Sequence, residues 1–122
     1  MSDVVDLAAK LASFDETWSP RVVAELNGQQ VRVAKLEGSF DWHAHADEDE
    51  LFWVLRGHLR LELRDRTVEL DPGQLFVVPR GVEHRPVADA LCEVVLFEPA
   101  ETRNTGDAVT DRTIEASDLP RI

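Results

Sequence analysis

The chain has 122 residues, of which 43% are hydrophobic, and carries 24 acidic against 13 basic side chains for a net charge of −11. That length suits a single domain, residues 1–122, with a real core, and the composition lets it fold without disulfides. The acidic balance, with no lysine or arginine stripe, argues against a nucleic-acid backbone or an anionic membrane surface as partner.

Val4, Leu7, Ala8 and Leu11 recur at helical spacing behind Ser2 or Asp3 as N-cap. They predict a short amphipathic helix over residues 3–12, packed on the outside of something larger. Residues 1–19 are this helix and its lead-in, and the domain core runs from about 20 to 98. The pattern then changes to strands. "RVVAEL" and "QQVRVAKLEG", joined by Asn27-Gly28, read as a hairpin. "LFWVLRGHLRLELRD" alternates over its second half, "RTVELDPGQLFVVPRG" gives two short strands around Pro72-Gly73, and "ALCEVVLFEP" is the last clear strand. Short strands closed by turn signals, with no helix between them, predict an all-β antiparallel sandwich or barrel. Residues 99–122 are polar without a sustained period and read as a tail laid over the surface or partly disordered.

Cys92 is the single cysteine, so no internal disulfide is possible, and in "LCEVVLF" it reads as a core hydrophobe. Asp3, Asp6 and Lys10 interrupt any signal-peptide run, and no stretch approaches transmembrane length. The cytoplasm is the expected location.

The chemistry concentrates in "DWHAHADEDELFWVLRG", residues 41–57. On a strand, positions i and i+2 face one side, about 6.6 Å apart, so His43 and His45 would project together. Glu50 lies at an odd step from them and requires a turn in "ADED" before it can face back. Glu50, Phe52 and Val54 then point inward, and Leu51, Trp53 and Leu55 outward. His84 follows a turn at Pro79-Arg80-Gly81. Three neutral imidazoles and one carboxylate suit one divalent ion of iron, manganese, nickel, copper or zinc, with coordination positions left open. His58, in phase with Arg60 and Glu62, reads as a surface residue. Arg56, Arg80 and Arg85 flank the motif positions as solvated charges, or as a guide for an anionic ligand. Phe40, Phe52, Val54 and Phe76 are the candidate pocket lining. Nothing singles out Glu48 or Glu83 as a general base.

These residues resemble the cupin family. The first family motif is matched by Gly38, "SFDW", His43-Ala44-His45, "ADED", Glu50, "LFWVLR", Gly57. The second is matched by Gly73, "QLFVV", Pro79-Arg80-Gly81, "VE", His84, "RPV", Ala88. The sequence departs from the family pattern twice: the first spacer is one residue short, and Ala88 replaces an asparagine. Neither departure touches the four metal positions. The resemblance implies a small double-stranded β-helix, or jelly-roll, barrel with a short N-terminal helix. It also implies His43, His45, Glu50 and His84 as ligands of one divalent transition metal ion, and Gly57, Pro79 and Gly81 as turn positions.

By the same resemblance the protein is a mononuclear metal enzyme, isomerase-like or dioxygenase-like, acting on a small anionic or oxygenated molecule. The alternative is a non-enzymatic module that binds or senses a small molecule or a metal, and a third reading has the ion merely clamp the strands. The outward apolar row Leu51, Trp53 and Leu55 needs cover, from the N-terminal helix or a second subunit. The resemblance favours a homodimer.

Overall fold

The computed structural model describes residues 3–122. Helix α1 spans Leu7–Ala12, and seven strands follow: β1 (Arg21–Leu26), β2 (Gln29–Ser39), β3 (Glu50–Arg56), β4 (Leu59–Leu63), β5 (Thr67–Leu70), β6 (Leu75–Val78) and β7 (His84–Pro99). The helix is shorter than its periodicity predicts. Asp6 is the N-cap, its carboxylate accepting from the Ala9 amide at 3.1 Å. Upstream, Val4 and Val5 are β-branched, and Val4 is 96% exposed, so neither propensity nor burial extends the helix. Of the two expected caps, Ser2 lies outside the described residues and Asp3 does not serve.

The strands form an antiparallel jelly-roll in the order β1-β2-β7-β3-β6, with β4 pairing β5 and β7. The hairpin joining β1 and β2 turns at Asn27 (φ +52°) and Gly28 (φ +76°), the left-handed pair that a two-residue turn of this hand demands. β7 organises the molecule. Its first residues pair with β4, and its later ones lie between β2 and β3. Drawn straight, 16 residues of strand would span about 50 Å. Yet His84 at one end and Glu98 near the other both border the cavity region around Glu50. β7 therefore coils around the barrel, passing through the exposed stretch Asp89–Leu91.

Strand parity sorts the side chains. Ala34, Leu36, Phe52, Val54, Val94 and Leu96 fill the interior together with Leu59, Leu61 and Cys92. Burial pushes the Cys92 thiol up to about 11, so it is the inert core residue expected. On the outside, Leu11 and Phe14 pack on Val33 and Val95, with Leu55 at the margin. The helix segment thus covers one end of the outward row and leaves Trp53 40% exposed.

Residues 99–122 lie over the barrel. Thr102, Thr105 and Leu119 are buried, and the chain ends along the free edge of β1, where Val22 exchanges hydrogen bonds with Pro120 and Ile122. The anchor is internal. Buried Arg32 donates to the carbonyls of Ala100 (3.1 Å) and Thr102 (2.9 Å), satisfying a cation and two carbonyls at once. Sequence polarity alone conceals this docking because hydrogen bonds, more than apolar burial, hold the segment.

Gly57 shows how closely the strands approach. Its φ is +88°, and a Cβ there would stand 2.7 Å from the Leu91 carbonyl oxygen. At Gly28 the φ is similar, but the space around it is open. Gly28→Ala should therefore cost about 1 kcal/mol from backbone conformation alone. Gly57→Ala should cost clearly more, about 2 kcal/mol or above, because a collision is added. Urea denaturation of the two variants beside the wild type checks this order.

Candidate metal centre

The chain carrying the two histidines is not a strand. Residues 40–49 are irregular except at His43, which exchanges backbone hydrogen bonds with His84 at 2.9 and 3.1 Å. That bridge corrects the expectation of a regular strand. The bend at Ala46-Asp47 comes within "ADED", as parity required, and Glu50 opens β3 pointing inward with Phe52 and Val54. His84 is the first residue of β7, following the turn in which the Gly81 amide donates to the His45 carbonyl at 2.8 Å.

All four side chains are buried, and their donor atoms lie within 4.8 Å of one another. Glu50 Oε1 stands 3.3 Å from His45 Nε2 and 3.4 Å from His84 Nε2. Two rings are oriented from behind. His43 Nδ1 pairs with the Asp41 carbonyl at 2.8 Å, and His84 Nδ1 with the Val82 carbonyl at 3.0 Å. A carbonyl can only accept, so each Nδ1 carries the proton and each Nε2 keeps its lone pair facing inward. His45 Nδ1 and Nε2, His84 Nε2 and Glu50 Oε1 have no hydrogen-bond partner of good geometry. Unsatisfied buried polar atoms are costly, and three of these, His45 Nε2, His84 Nε2 and Glu50 Oε1, converge. A divalent ion with bonds of about 2.1 Å spans about 4.2 Å between opposite ligands, so these donors need close only slightly around one. The residues fit a metal.

The electrostatics agree. Burial drives the His43 imidazole down to about 4, and neighbouring His84 adds to the shift. Burial also disfavours charge on His45, but the Glu50 carboxylate beside it reverses the balance and raises its value. Burial would raise Glu50, yet the imidazoles of His45 and His84 facing it at 3.3 and 3.4 Å hold its carboxyl well below the usual range.

Beside the quartet is a cavity of about 40 Å³. Phe40 and Phe52 line it as expected. Val54 and Phe76 do not: Val54 is sealed in the core, and Phe76 packs on the same core from its margin. Trp18 lines the cavity, its ring stacked on Phe40 at 4.8 Å and its indole N–H donating to the Glu37 carbonyl. Trp18 holds a φ of +56°, a conformation an aromatic residue adopts only when its surroundings enforce it. Trp42, next to His43, lies under the Arg64 guanidinium at 3.8 Å.

Sequence reasoning missed Glu98 and Arg32. Both continue an inward phase, Val94-Leu96-Glu98 on β7 and Arg32-Ala34-Leu36 on β2, so a charged residue at a core position was the available signal. Glu98 is 1% exposed, and burial followed by the nearby Glu50 pushes its carboxyl well above the usual range. Arg32 Nη1, 3.6 Å from Glu98 Oε2, opposes this without reversing it. His58 is the surface residue expected, held between Asp71 and Glu69. Arg56, Arg80 and Arg85 pair with Glu93, Asp49 and Glu62. Glu83 pairs with Arg64 on the surface.

A family model for the cupin domain matches residues 29–98. The chain belongs to the cupin domain family. Its resemblance to other cupins extends well beyond the ligand motifs. It is 44% identical to a cupin-2 domain containing protein from Shewanella frigidimarina of known crystal structure, with a TM-score of 0.78 over 79% of this chain and 94% of that one. It is 36% identical over 86 residues to the uncharacterized protein YdbB of Bacillus subtilis, covering 70% of this chain and 76% of that one. It is also 32% identical over 77 residues to an acireductone dioxygenase of Puccinia graminis, covering 58% of this cupin but only 39% of that enzyme. No helix among the described residues is long and apolar enough to cross a membrane.

His43 gives the metal-free protein a pH dependence. Folded, it stays neutral down to about 4; unfolded, it takes a proton near 6.5. Between those values the unfolded state binds more protons, so stability falls as pH falls, by about 3 kcal/mol from this residue. His45 acts oppositely: its raised value stabilises the fold at low pH and is lost as pH rises through it. In chelator, urea denaturation of the wild type should show the acid loss, and His43→Asn should show a shallower slope between pH 6.5 and 4.

Proposed function

We propose that His43, His45, Glu50 and His84 hold one divalent transition metal ion, and that this cupin is a mononuclear metal enzyme of the dioxygenase type acting on a small oxygenated molecule. The observation that carries this reading is the convergence of four buried side chains whose ligand atoms lie within 4.8 Å of one another, those of His45, Glu50 and His84 having no hydrogen-bond partner. The name of the acireductone dioxygenase relative supports oxygen chemistry over isomerisation. Such an ion, when bound, supplies Lewis-acid polarisation and, if redox-active, activation of dioxygen.

The chain's own residues supply the rest. Glu50 contributes one negative charge, so the centre stays net positive with a divalent ion and attracts anionic oxygen ligands. Phe52, Leu36, Leu96 and the Trp18–Phe40 stack exclude water and strengthen that attraction. Glu98 is a polar group on the cavity wall whose carboxyl oxygens have no hydrogen-bond partner, placed to meet a hydroxyl or carbonyl of an occupant. A cavity of about 40 Å³ suits a small occupant. That tight fit also favours the alternative, a module that binds or senses the metal without turnover.

Metal analysis of protein purified without a histidine tag should find one ion per chain. His45→Ala should abolish stoichiometric metal, and His84→Ala likewise. Occupancy surviving the loss of both would refute the ligand assignment. Iron-loaded protein should consume oxygen on addition of small enediols or diketones; full metal with no uptake on any of them would favour the binding module.

The outer face of β3 and β6 supports a homodimer. Trp53 pairs across to Leu75 and Leu51 to Val77, and Trp53, Leu75 and Val77 are 40%, 52% and 44% exposed. Neither α1 nor the C-terminal segment covers them, and no charge interrupts the patch, so a second copy is the natural cover. Sedimentation should show a dimer at micromolar concentration and a monomer for Trp53→Glu. A monomeric wild type would end this reading.

A further inference from the structure

The quartet depends on a segment that belongs to neither histidine motif. The loop bearing His43 and His45 lacks regular structure, so something must fix its backbone. On one side the second motif does so, through the His43–His84 bridge and the Gly81 amide on the His45 carbonyl. On the other side stands Asp107. Its amide donates to the Ala44 carbonyl at 2.9 Å, and its carboxylate accepts from the Ala44 amide at 3.0 Å. Ala44 lies between the two histidines, so both peptide groups that set their directions are held by one residue.

Gly106 makes the approach possible. Its φ is +56°, a Cβ would collide with the Ala44 carbonyl oxygen, and the same Cβ would stand 3.1 Å from His45 Nδ1. Any side chain here would push the C-terminal segment away from the loop or displace the imidazole. The turn presenting this pair is closed on itself: the Gly106 amide donates to the Arg103 carbonyl, and Arg103 Nε donates to the Gly106 carbonyl, each at 2.9 Å. Behind it, buried Thr105 Oγ1 donates to the Ala108 carbonyl at 2.7 Å, and Arg32 anchors the chain at Ala100 and Thr102. A buried cation inside the barrel is thus linked through the C-terminal segment to the outer side of the ligand loop.

We propose that Gly106 and Asp107 are positioning residues for the metal centre, holding the Ala44 peptide groups so that His43 and His45 converge. This rests on the reading that the quartet binds a metal. Neither residue touches the ion, and both set how strongly it is held. Partners that orient ligands change metal affinity by about 10–100-fold when lost, which sets the scale here.

The probe is Co²⁺, titrated into full-length metal-free protein and followed by affinity and by the visible spectrum of the bound ion. Asp107→Ala should weaken Co²⁺ binding at least about 10-fold and alter the spectrum. Asp107→Asn keeps an acceptor oxygen for the Ala44 amide, so it should stay within about 3-fold of wild type, with an unchanged spectrum. Gly106→Ala should behave like Asp107→Ala. Circular dichroism and melting of the metal-free proteins separate loss of positioning from loss of fold. If Asp107→Ala and Gly106→Ala bind Co²⁺ as wild type does, the positioning role is wrong while the metal reading stands. If their losses merely follow unfolding and asparagine restores nothing, the segment is structural only and the proposal also falls. If the wild type takes up no Co²⁺, both readings fall together.

Discussion

Four ionisable side chains share one end of an apolar barrel with their lone pairs facing one another, and the surrounding structure serves to keep them there. Desolvating three imidazoles and a carboxylate is unfavourable unless a positive charge joins them. Without one, burial drives His43 down while the Glu50 carboxylate carries His45 up, although the two stand two residues apart. Such an arrangement persists only if the scaffold is rigid. The scaffold supplies that rigidity from three directions: the coiled strand β7, the closely approached turn at Gly57, and the C-terminal segment fastened by Arg32.

Arg32 and Glu98 extend the same constraint into the floor of the cavity. Both are almost fully buried, yet Arg32 directs its hydrogen bonds to Gln30 Oε1 and to the Thr102 and Ala100 carbonyls and leaves Glu98 at 3.6 Å. Burial and the neighbouring Glu50 raise the Glu98 carboxyl, and Arg32, its three nitrogens already engaged, opposes this only in part. Arg32 and Glu98 thus join His43, Glu50 and Asn104 as the polar lining of a cavity whose other walls are aromatic and aliphatic.

Much of this was legible in the sequence. Period-two alternation placed Glu50, Phe52 and Val54 inward, Asn27-Gly28 marked the hairpin, and motif spacing brought His84 to the pair. The misses have physical reasons. His43 and His45 were assigned to a regular strand because alternation cannot distinguish a strand from a loop pinned at one bridge. Phe76 was expected in the pocket because its parity is right, but position along the barrel axis is not encoded in parity. Residues 99–122 carry few apolar side chains, and a segment held by Arg32, Thr105 and Asp107 leaves no periodic trace. Glu98 and Arg32 broke the rule that charges face water, and that violation was the sign that went unread.

The three tryptophans acquire a use from where they stand. The chain has no tyrosine, so its near-ultraviolet emission comes from these three residues. Trp18 is stacked against the cavity, Trp42 lies under an arginine beside His43, and Trp53 sits on the uncovered outer face. Each indole thus watches a different event: filling of the cavity, ordering of the ligand loop, or covering of the sheet. Keeping them one at a time would turn the protein into its own optical instrument, able to report in which order these events occur.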